Sequence, residues 1–385
     1  MTALSQLRQH DRTLLPPLAT ERIEIVDTAA GLAAMAAAWN LLWCRTGGLV
    51  FQSHAWVTAW WATAPDQSRR RLQIVSAWRG NDLVAVLPLA VCRRGVFRVL
   101  EWAAKDHTDY ADAIVAPGCD EAVVRRMWNA VTAASGFDLA YLNRLLPRAH
   151  ARTLLDHTPA NGSRLKLNHR AEASLRVVGA WPNGRAWFNS QSKKTRQNYR
   201  RGQKSIEEQG ALSFRLLGPE EPLKPILVHL AALKRQWLTS HQLVSPLFDE
   251  GSSALHALVQ VLADLGVLRT FVLECDGKVV AISIKFVQNH AMIAFLTTYD
   301  PSFERASPGM VLMIDYIQWS FDHGIKTVDF LCGAESFKSR FATESVKLES
   351  LMGSRTASGA LAVLADRSFR TIANIHERRA PALKI

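Results

Sequence analysis

The sequence contains 385 residues, of which 48% are hydrophobic and 21% are charged. This length predicts two domains of ordinary size, each able to bury its own core, and the composition excludes a disordered chain. The longest apolar run, Gly31 to Trp43, is shorter than the ~20 residues that a membrane-spanning helix requires. The net charge of +12 favours anionic partners such as nucleotides, coenzyme phosphates, nucleic acid or an acidic membrane surface.

The chain carries five scattered cysteines and no C-x-x-C pair. This usage predicts neither a disulfide framework nor a metal site. Residues 1–20 lack the basic-then-apolar order of a signal peptide, so we expect a flexible N-terminal tail and a cytoplasmic location.

A first domain is predicted over residues 21–180. Residues 22–27 alternate like a strand, and residues 28–44 and 53–64 have helical spacing. Arg79-Gly80-Asn81-Asp82 is typical of a hairpin turn between strands at 72–78 and 83–91. The remaining pattern predicts strands at 96–102, 113–115 and 137–142, a helix at 121–134, a helical piece at 149–157 and a strand from 164.

Residues 184–209 are strongly basic, and we predict a connecting helix there. On such a helix Lys193, Arg196, Arg200 and Lys204 share one face, and Tyr199 adds a stacking group. One interpretation is a solvated connector. The other is a site for a phosphate-bearing ligand, with Lys193, Arg196, Tyr199 and Arg200 as substrate-binding residues.

A second domain is predicted over residues 210–385, and its elements repeat the order of the first. The pattern predicts strands at 211–217, 268–275, 279–287, 291–298, 328–331 and 345–351, with helices at 220–240, 252–265, 308–322 and 359–377. Asp138 and Asp329 occupy matching places in the two halves. The repeated order predicts a duplicated domain.

The start of the helix at 308 is a candidate anion site. Ser307 is a good N-cap residue, Pro308 suits the first helical position, and Gly309 lets a ligand approach the backbone. Unpaired N–H groups and the positive end of the helix dipole, from Ser307 to Met310, favour an anion such as a pyrophosphate. An ordinary capped helix is the alternative.

The element order is that of the GNAT acyltransferase fold, and several segments resemble the CelD/BioF2-like acetyltransferases, which are double-GNAT proteins related in architecture to the FemABX aminoacyl transferases. The resembling segments are, in chain order, FQSHAW at 51–56 with Trp60-Trp61, Leu87-Pro88-Leu89, SKKTRQNYRR at 192–201, Tyr299-Asp300-Pro301, Ser307-Pro308-Gly309, and DFLCG at 329–333 followed by Lys338.

The resemblance implies an α/β (α+β) fold of two tandem GNAT-like domains, each a mixed, mostly antiparallel sheet flanked by helices. It implies acyl transfer from acetyl-CoA or another acyl-CoA to an amine or hydroxyl acceptor, in a cell-envelope, cellulose or exopolysaccharide context. The cofactor-binding residues would be Arg305, Ser307, Gly309 and Met310. Pro308 stands where the Q/R-x-x-G-x-G/A loop has its first glycine, and proline offers no N–H.

Acyl transfer to an amine needs a base, donors for the developing oxyanion and a proton for the leaving thiolate. Tyr299 and Asp300 end a strand directly before the candidate phosphate loop, Asp329 lies in an apolar strand, and Lys338 follows that strand. These four are the catalytic candidates. Their structural alternatives are a turn at Asp300, a salt bridge at Asp329 and a surface position for Lys338.

In the first half, Asp109 and Tyr110 occupy the place of the phosphate loop, so we predict acceptor contacts or a structural role for them. Two other functions are weighed against acyl-CoA chemistry. The basic segment and the net charge favour a FemABX-like aminoacyl-tRNA-dependent transferase, with tRNA as partner. The proline in the loop favours a non-catalytic binding or assembly protein on a decayed GNAT scaffold.

Overall fold

The computed structural model describes residues 21–120, 122–159, 163–168, 172–333 and 335–366. Its helices are α1 (Ala29–Ala34), α2 (Ala36–Thr46), α3 (His54–Thr63), α4 (Ala122–Ala134), α5 (Gly184–Ser190), α6 (Lys193–Glu207), α7 (Leu223–Ser240), α8 (Ala254–Asp264), α9 (Pro308–Asp322) and α10 (Ser336–Phe341). Residues 357–366 are also helical. The predicted tail at 1–20 and the end of the predicted C-terminal helix lie outside the described residues.

The strands alternate with these helices in the predicted order. Those up to the basic segment are β1 (Arg22–Val26), β2 (Arg70–Arg79), β3 (Asp82–Arg94), β4 (Phe97–Trp102), β5 (Ile114–Val115), β6 (Leu139–Leu145), β7 (Lys166–Leu167) and β8 (Glu172–Val178). Those after it are β9 (Leu212–Leu216), β10 (Leu268–Cys275), β11 (Lys278–Gln288), β12 (Ala291–Tyr299), β13 (Thr327–Cys332) and β14 (Glu344–Ser354).

One continuous sheet joins the two halves of the chain. Its order is β1-β2-β3-β4-β6-β14-β8-β13-β12-β11-β10-β9, and β5 and β7 pair at its sides. The two ends of this order mirror each other, because β4 pairs parallel with β6 and β12 pairs parallel with β13. The strands between are exchanged: β8, from the first half, pairs with β13, while β14, from the second half, pairs with β6.

The structure refines three sequence predictions. The predicted helix at 28–44 is two helices that meet at Met35, and the piece at 149–157 is a 3₁₀ helix, His150–Leu154. The basic segment is also two helices. Ser192 caps the second of them by accepting a hydrogen bond from the Thr195 N–H at 3.1 Å, so the chain turns between α5 and α6.

The predicted match of Asp138 with Asp329 is wrong in register. Arg144 in β6 and Leu331 in β13 both have positive φ, at 60° and 58°, and each lies at a register shift against the exchanged strand. Aligning these two kinks sets Leu142, and not Asp138, opposite Asp329. The carboxylate in the middle of β13 therefore belongs to the second half alone.

The strands β12 and β13 diverge, and this opens the sheet beside α9. They pair only from Ala291 to Ile293 with Thr327 to Asp329, although β12 continues to Tyr299. A register shift between β11 and β12 leaves Phe295 outside the residue-by-residue pairing. A buried apolar layer that includes α9 and parts of α5 and α6 covers one face of this region. No described helix has the length and apolar character to cross a bilayer.

Candidate functional site

A cavity of about 190 Å³ lies at the start of α9. Its walls come from the end of the loop after β12, from α6 and from α10. These elements bring together three arginines, Arg305, Arg201 and Arg340. All three are exposed, and the described residues provide no carboxylate partner for them. The lining residues are Asn198, Arg201, Gly202, Ser205, Arg305, Ala306, Ser307, Met310, Val311 and Arg340. Three of the four predicted cofactor-binding residues, Arg305, Ser307 and Met310, thus meet at one cavity.

The closeness of α6 to this cavity depends on Gly202. A Cβ on this residue would lie 2.6 Å from the carbonyl oxygen of Ala306 and 2.9 Å from a methyl carbon of Val311. Real Cβ atoms do not approach neighbours so closely, so only glycine lets α6 pack directly on the loop before α9. This packing holds Arg201 over the start of α9.

A buried pair fastens α6 to α9 one turn away from the cavity. The Tyr199 hydroxyl donates a hydrogen bond to the Asp315 carboxylate, and the Gln203 side chain donates to the Tyr199 oxygen at 2.9 Å. Burial raises the pKa of Asp315 from 3.8 to about 7, although the bond from Tyr199 opposes this effect. Burial, with Asp315 beside it, also raises the pKa of Tyr199. Tyr199, a predicted substrate-binding residue, is buried here.

Few backbone donors are available at the start of α9. The Ser307 N–H donates to Glu304 and the Met310 N–H donates to Ser307, both at 2.9 Å, and Pro308 has no N–H. Among the described residues, the Gly309 amide alone is left unpaired in this turn. Ser307 itself has left-handed backbone angles, with φ 53° and ψ 53°, and its side chain makes no cap. The positive charge at this end therefore comes mainly from the arginine side chains.

Tyr299 and Asp300 lie beside this turn. The Tyr299 ring would be 3.3 Å from a Cβ on Gly309, and burial raises the pKa of its hydroxyl. The Asp300 carboxylate accepts hydrogen bonds from the Ser302 N–H and hydroxyl, at 2.9 and 2.6 Å, and pairs with Lys278 at 2.9 Å. Burial alone would raise the pKa of Asp300, but these contacts lower it. The geometry of Asp300 is that of a capped turn.

Asp329 is the centre of a buried cluster that joins the two halves. Its carboxylate accepts hydrogen bonds from the Tyr110 hydroxyl at 2.7 and 2.8 Å, from the Ser174 hydroxyl at 2.8 Å and from the Leu331 N–H at 2.8 Å. Arg176 completes the set with an ion pair at 2.8 Å. The structure therefore brings the predicted residues Tyr110 and Asp329 into direct contact, and side chains of the exchanged strand β8 complete the cluster.

A second set of contacts continues from this cluster to α10. Asp109 pairs with Arg144 at 3.0 Å, and its carbonyl oxygen accepts a weak hydrogen bond from the Cys332 thiol at 3.4 Å. Burial raises the pKa of Asp109 even though Arg144 opposes the shift. The Lys338 ammonium donates to the carbonyl oxygen of Cys332 at 2.7 Å and pairs with Glu335 at 2.9 Å. Lys338 is only 7% exposed, so it is not a surface lysine.

Lys285 is a fully buried lysine in β11, at the side of the strand divergence. Its amine donates to the carbonyl oxygen of Leu296 at 3.1 Å and to the Thr297 hydroxyl at 2.9 Å, and it lies 4.7 Å from the centre of the Tyr316 ring. Burial, with the charge of Lys338 nearby, holds its pKa well below 10.5. A lone lysine in the apolar segment AISIKFV was the signal for it in the sequence.

The other predicted residues of α6 have different positions. Arg196 donates to the carbonyl oxygens of Asn189 and Gln191, at 2.6 and 2.5 Å, and so fastens the turn between α5 and α6. Lys193 and Arg200 are exposed, and they have no ion-pair partner among the residues that the structure describes. Arg201 faces the cavity and belongs to the same basic run, but the face that was singled out in the sequence did not include it.

Several residues at these sites carried little signal in the sequence. Arg340, Ser174 and Arg176 come from α10 and β8, whose places next to α9 and β13 follow from tertiary pairing alone. Within the described ranges, no group of three histidine, cysteine, aspartate or glutamate side chains is arranged to hold a metal ion.

Comparisons with known proteins agree with this architecture. Residues 193–339 match the protein family described as an acetyltransferase (GNAT) domain. FemX is similar over 89% of this chain and 100% of its own, with 9% identity and a TM-score of 0.57. The C-terminal domain of a protein provisionally described as a lysylphosphatidylglycerol synthetase from Agrobacterium fabrum is similar over 88% and 96%, with 13% identity and a TM-score of 0.52.

A conserved protein of unknown function from Bacteroides thetaiotaomicron is similar over 86% of this chain and 99% of its own, with 14% identity and a TM-score of 0.50. Comparison with curated proteins returned no match. The predicted fold class is confirmed: the structure has a large, mostly antiparallel sheet flanked by helices, and residues 193–339 match the acetyltransferase (GNAT) domain family.

Proposed function

We propose that this chain is an acyl-CoA-dependent acyltransferase whose coenzyme phosphates bind at the start of α9. The observation that carries the proposal is the cavity with three exposed arginines, inside the segment that matches the GNAT domain or next to its end. Guanidinium groups bind phosphate oxygens in a bidentate manner. They supply the positive charge that Pro308 keeps the backbone from supplying.

The residues of the cavity fit a pyrophosphate group. Arg201, Arg305 and Arg340 surround it from three elements, and the unpaired amide of Gly309 belongs to the helical turn beside it. Ser307 and Asn198 add neutral polar groups to the lining. When bound, the acyl-CoA would supply the activated acyl group. The divergence of β12 from β13 offers an opening beside this cavity for the rest of the coenzyme.

The catalytic roles are assigned to residues near that opening. We propose that Lys338, held at the carbonyl oxygen of Cys332, stabilises negative charge that develops during transfer. Asp329 accepts hydrogen bonds from three donor groups and forms one ion pair, so its role in the proposal is to position β13 and Tyr110. Tyr299, beside Gly309, is the candidate proton donor to the thiolate.

The acceptor in this proposal is an amine or hydroxyl compound, for which Asp109 and Tyr110 of the first half are the candidate contacts. A cell-envelope or exopolysaccharide acceptor follows from the resemblance to CelD/BioF2-like proteins and belongs to the proposal, as does the expected cytoplasmic location. The division into domains at 21–180 and 210–385, with residues 184–209 as connector, belongs to it as well.

Calorimetric titration with acetyl-CoA and CoA tests the proposal. We expect the purified full chain to bind both, and the Arg305→Gln/Arg340→Gln variant to bind at least ~10-fold more weakly, since each lost charge-assisted contact contributes ~1.5–3 kcal/mol. The matched control is Arg45→Gln/Arg125→Gln, which removes two exposed, unpaired arginines elsewhere. Absence of binding at high micromolar ligand would refute the proposal.

A second function is favoured by the exposed basic face of α6. Lys193, Lys194, Arg200 and Lys204 are exposed and lack ion-pair partners within the described part of the chain. Such a face suits the phosphates of a nucleic acid, and the shared fold with FemX agrees with an aminoacyl-tRNA-dependent transferase. Salt-sensitive binding of tRNA without binding of CoA would favour this function over the first. Binding of neither, with folding intact, would leave a non-catalytic assembly protein.

A further inference from the structure

A larger, strongly cationic groove lies in the first half, on a part of the sheet that the proposed acyltransferase site does not use. It has a volume of about 470 Å³, within the range of small-molecule sites. We call it the arginine groove. Five of its lining residues are arginines, and none carries a carboxylate. The lining residues are Ser68, Arg69, Arg70, Arg71, Val91, Arg93, Val96, Arg98 and Gly136.

Strand register places three of these arginines on one face. Arg71 of β2 pairs with Val91 of β3, and Arg93, two residues further along β3, pairs directly with Arg98 of β4. Paired residues and residues two apart point to the same side of a sheet. Neighbours of this kind lie within ~8 Å of each other, so long guanidinium side chains can converge on one phosphate or on adjacent phosphates.

The like-charged pair across β3 and β4 is unfavourable without a counter-ion. Directly opposed like charges destabilise a sheet. Arg98 is compensated, because Asp138 accepts hydrogen bonds from its backbone N–H at 2.8 Å and from its guanidinium at 3.1 Å. Arg93 is exposed and has no such partner among the described residues. An external anion bound at Arg93 would therefore offset this repulsion.

The remaining arginines divide in the same way into held and free groups. The Arg70 guanidinium lies 5.4 Å from the centre of the Trp60 ring and 3.8 Å from Asp106. Arg69 and Arg71 are exposed and have no carboxylate partner within the described ranges. The groove thus presents three free guanidinium groups, on Arg69, Arg71 and Arg93, beside two that are held in place.

We propose that the arginine groove binds a ligand carrying one or more phosphate groups, at a site separate from the one at α9. Arginine forks match phosphate oxygens bidentately, which lysines do not. The ligand is either a free phosphate compound or the headgroup of an anionic lipid. Val96, which is 79% exposed at the hairpin tip beside the groove, provides an apolar contact that a lipid would use.

The test compares the full chain with two double variants of equal charge. Arg71→Gln/Arg93→Gln alters the groove, and Arg45→Gln/Arg125→Gln removes two exposed arginines elsewhere. All four positions lack ion-pair partners among the described residues, so neither variant should lose stability. The groove variant also removes the repulsion between Arg93 and Arg98, so its melting temperature should equal or exceed that of the wild type. Inorganic pyrophosphate is titrated by calorimetry, and vesicles of phosphatidylcholine with and without phosphatidylglycerol are tested by co-sedimentation.

The expected result is that the groove variant lacks one pyrophosphate site that the wild type and the control variant retain. This difference does not depend on whether the α9 cavity also binds pyrophosphate or CoA, so the two proposals fail separately. If only the groove variant loses phosphatidylglycerol-dependent sedimentation, the phosphate belongs to a lipid headgroup. If sedimentation does not differ between the variants while pyrophosphate binding does, the ligand is a free phosphate compound. Equal pyrophosphate binding by both variants would overturn the proposal.

Discussion

The pair of Tyr199 and Asp315 makes the stability of this protein depend on pH in a direction opposite to that of most carboxylates. Burial raises the pKa of Asp315 from 3.8 to about 7. The folded protein therefore holds a proton that the unfolded chain releases, and stability is lost as the pH rises toward 7. At 1.36 kcal/mol per pH unit, the full effect is ~4 kcal/mol, of which ~3 kcal/mol falls between pH 5 and pH 8.

The perturbation is Asp315→Asn, which keeps the shape and an acceptor for the Tyr199 hydroxyl but does not titrate. We expect the free energy of unfolding of the wild type to fall by ~3 kcal/mol more than that of the variant between pH 5 and pH 8. Urea unfolding at the two pH values measures this difference. Asp112, with a pKa of about 6, acts in the same direction but contributes equally to both proteins.

Tyr199→Phe is the companion variant. It removes the hydrogen bond that lowers the pKa of Asp315, so the pH dependence should persist or increase. If wild type and Asp315→Asn change in parallel between pH 5 and pH 8, then Asp315 is ionised in the folded protein and the reasoning is refuted.

Three further predictions concern other parts of the structure. Gly202→Ala should lower the free energy of unfolding by about 1–3 kcal/mol and weaken CoA binding, because its Cβ would meet the Ala306 carbonyl oxygen at 2.6 Å. Gly218→Ala should do neither, and urea unfolding and calorimetry measure the two effects. Arg176→Gln should lower the free energy of unfolding by ~3 kcal/mol, because it leaves the buried Asp329 carboxylate without its ion partner. Arg164→Gln, whose partner Asp156 is exposed, should lower it by less than ~1 kcal/mol. Equal losses in urea unfolding would contradict this prediction. Lys285→Met should diminish the rise in stability that the wild type shows as the pH approaches 10.5 from below, because burial lowers the pKa of Lys285 in the folded protein and not in the unfolded chain; an unchanged rise in urea unfolding would show that Lys285 is charged when folded.

The sequence by itself determined the local elements and their order. The bounds of α9 and β10 agree with the pattern, because nearby residues specify a helix that begins at a proline and is followed by a glycine, and a strand before an Asp-Gly turn. The duplicated element order and the candidate residues at the start of α9 could be predicted for the same reason. Lys285 also left a local trace, as a single charge within an apolar strand.

Only the tertiary structure decided which strands complete each half and what surrounds each site. The exchange of β8 and β14 joins residues more than a hundred positions apart, so Ser174 and Arg176 meet Asp329 through pairing that no local pattern encodes. Tyr110 reaches the same carboxylate from a loop of the first half. The backbone kinks at Arg144 and Leu331, by which the two halves are aligned, lie at the register shifts of that pairing. The arginine groove has the same origin: strand register places Arg71, Arg93 and Arg98 on one face, although the sequence shows them only as separate basic residues.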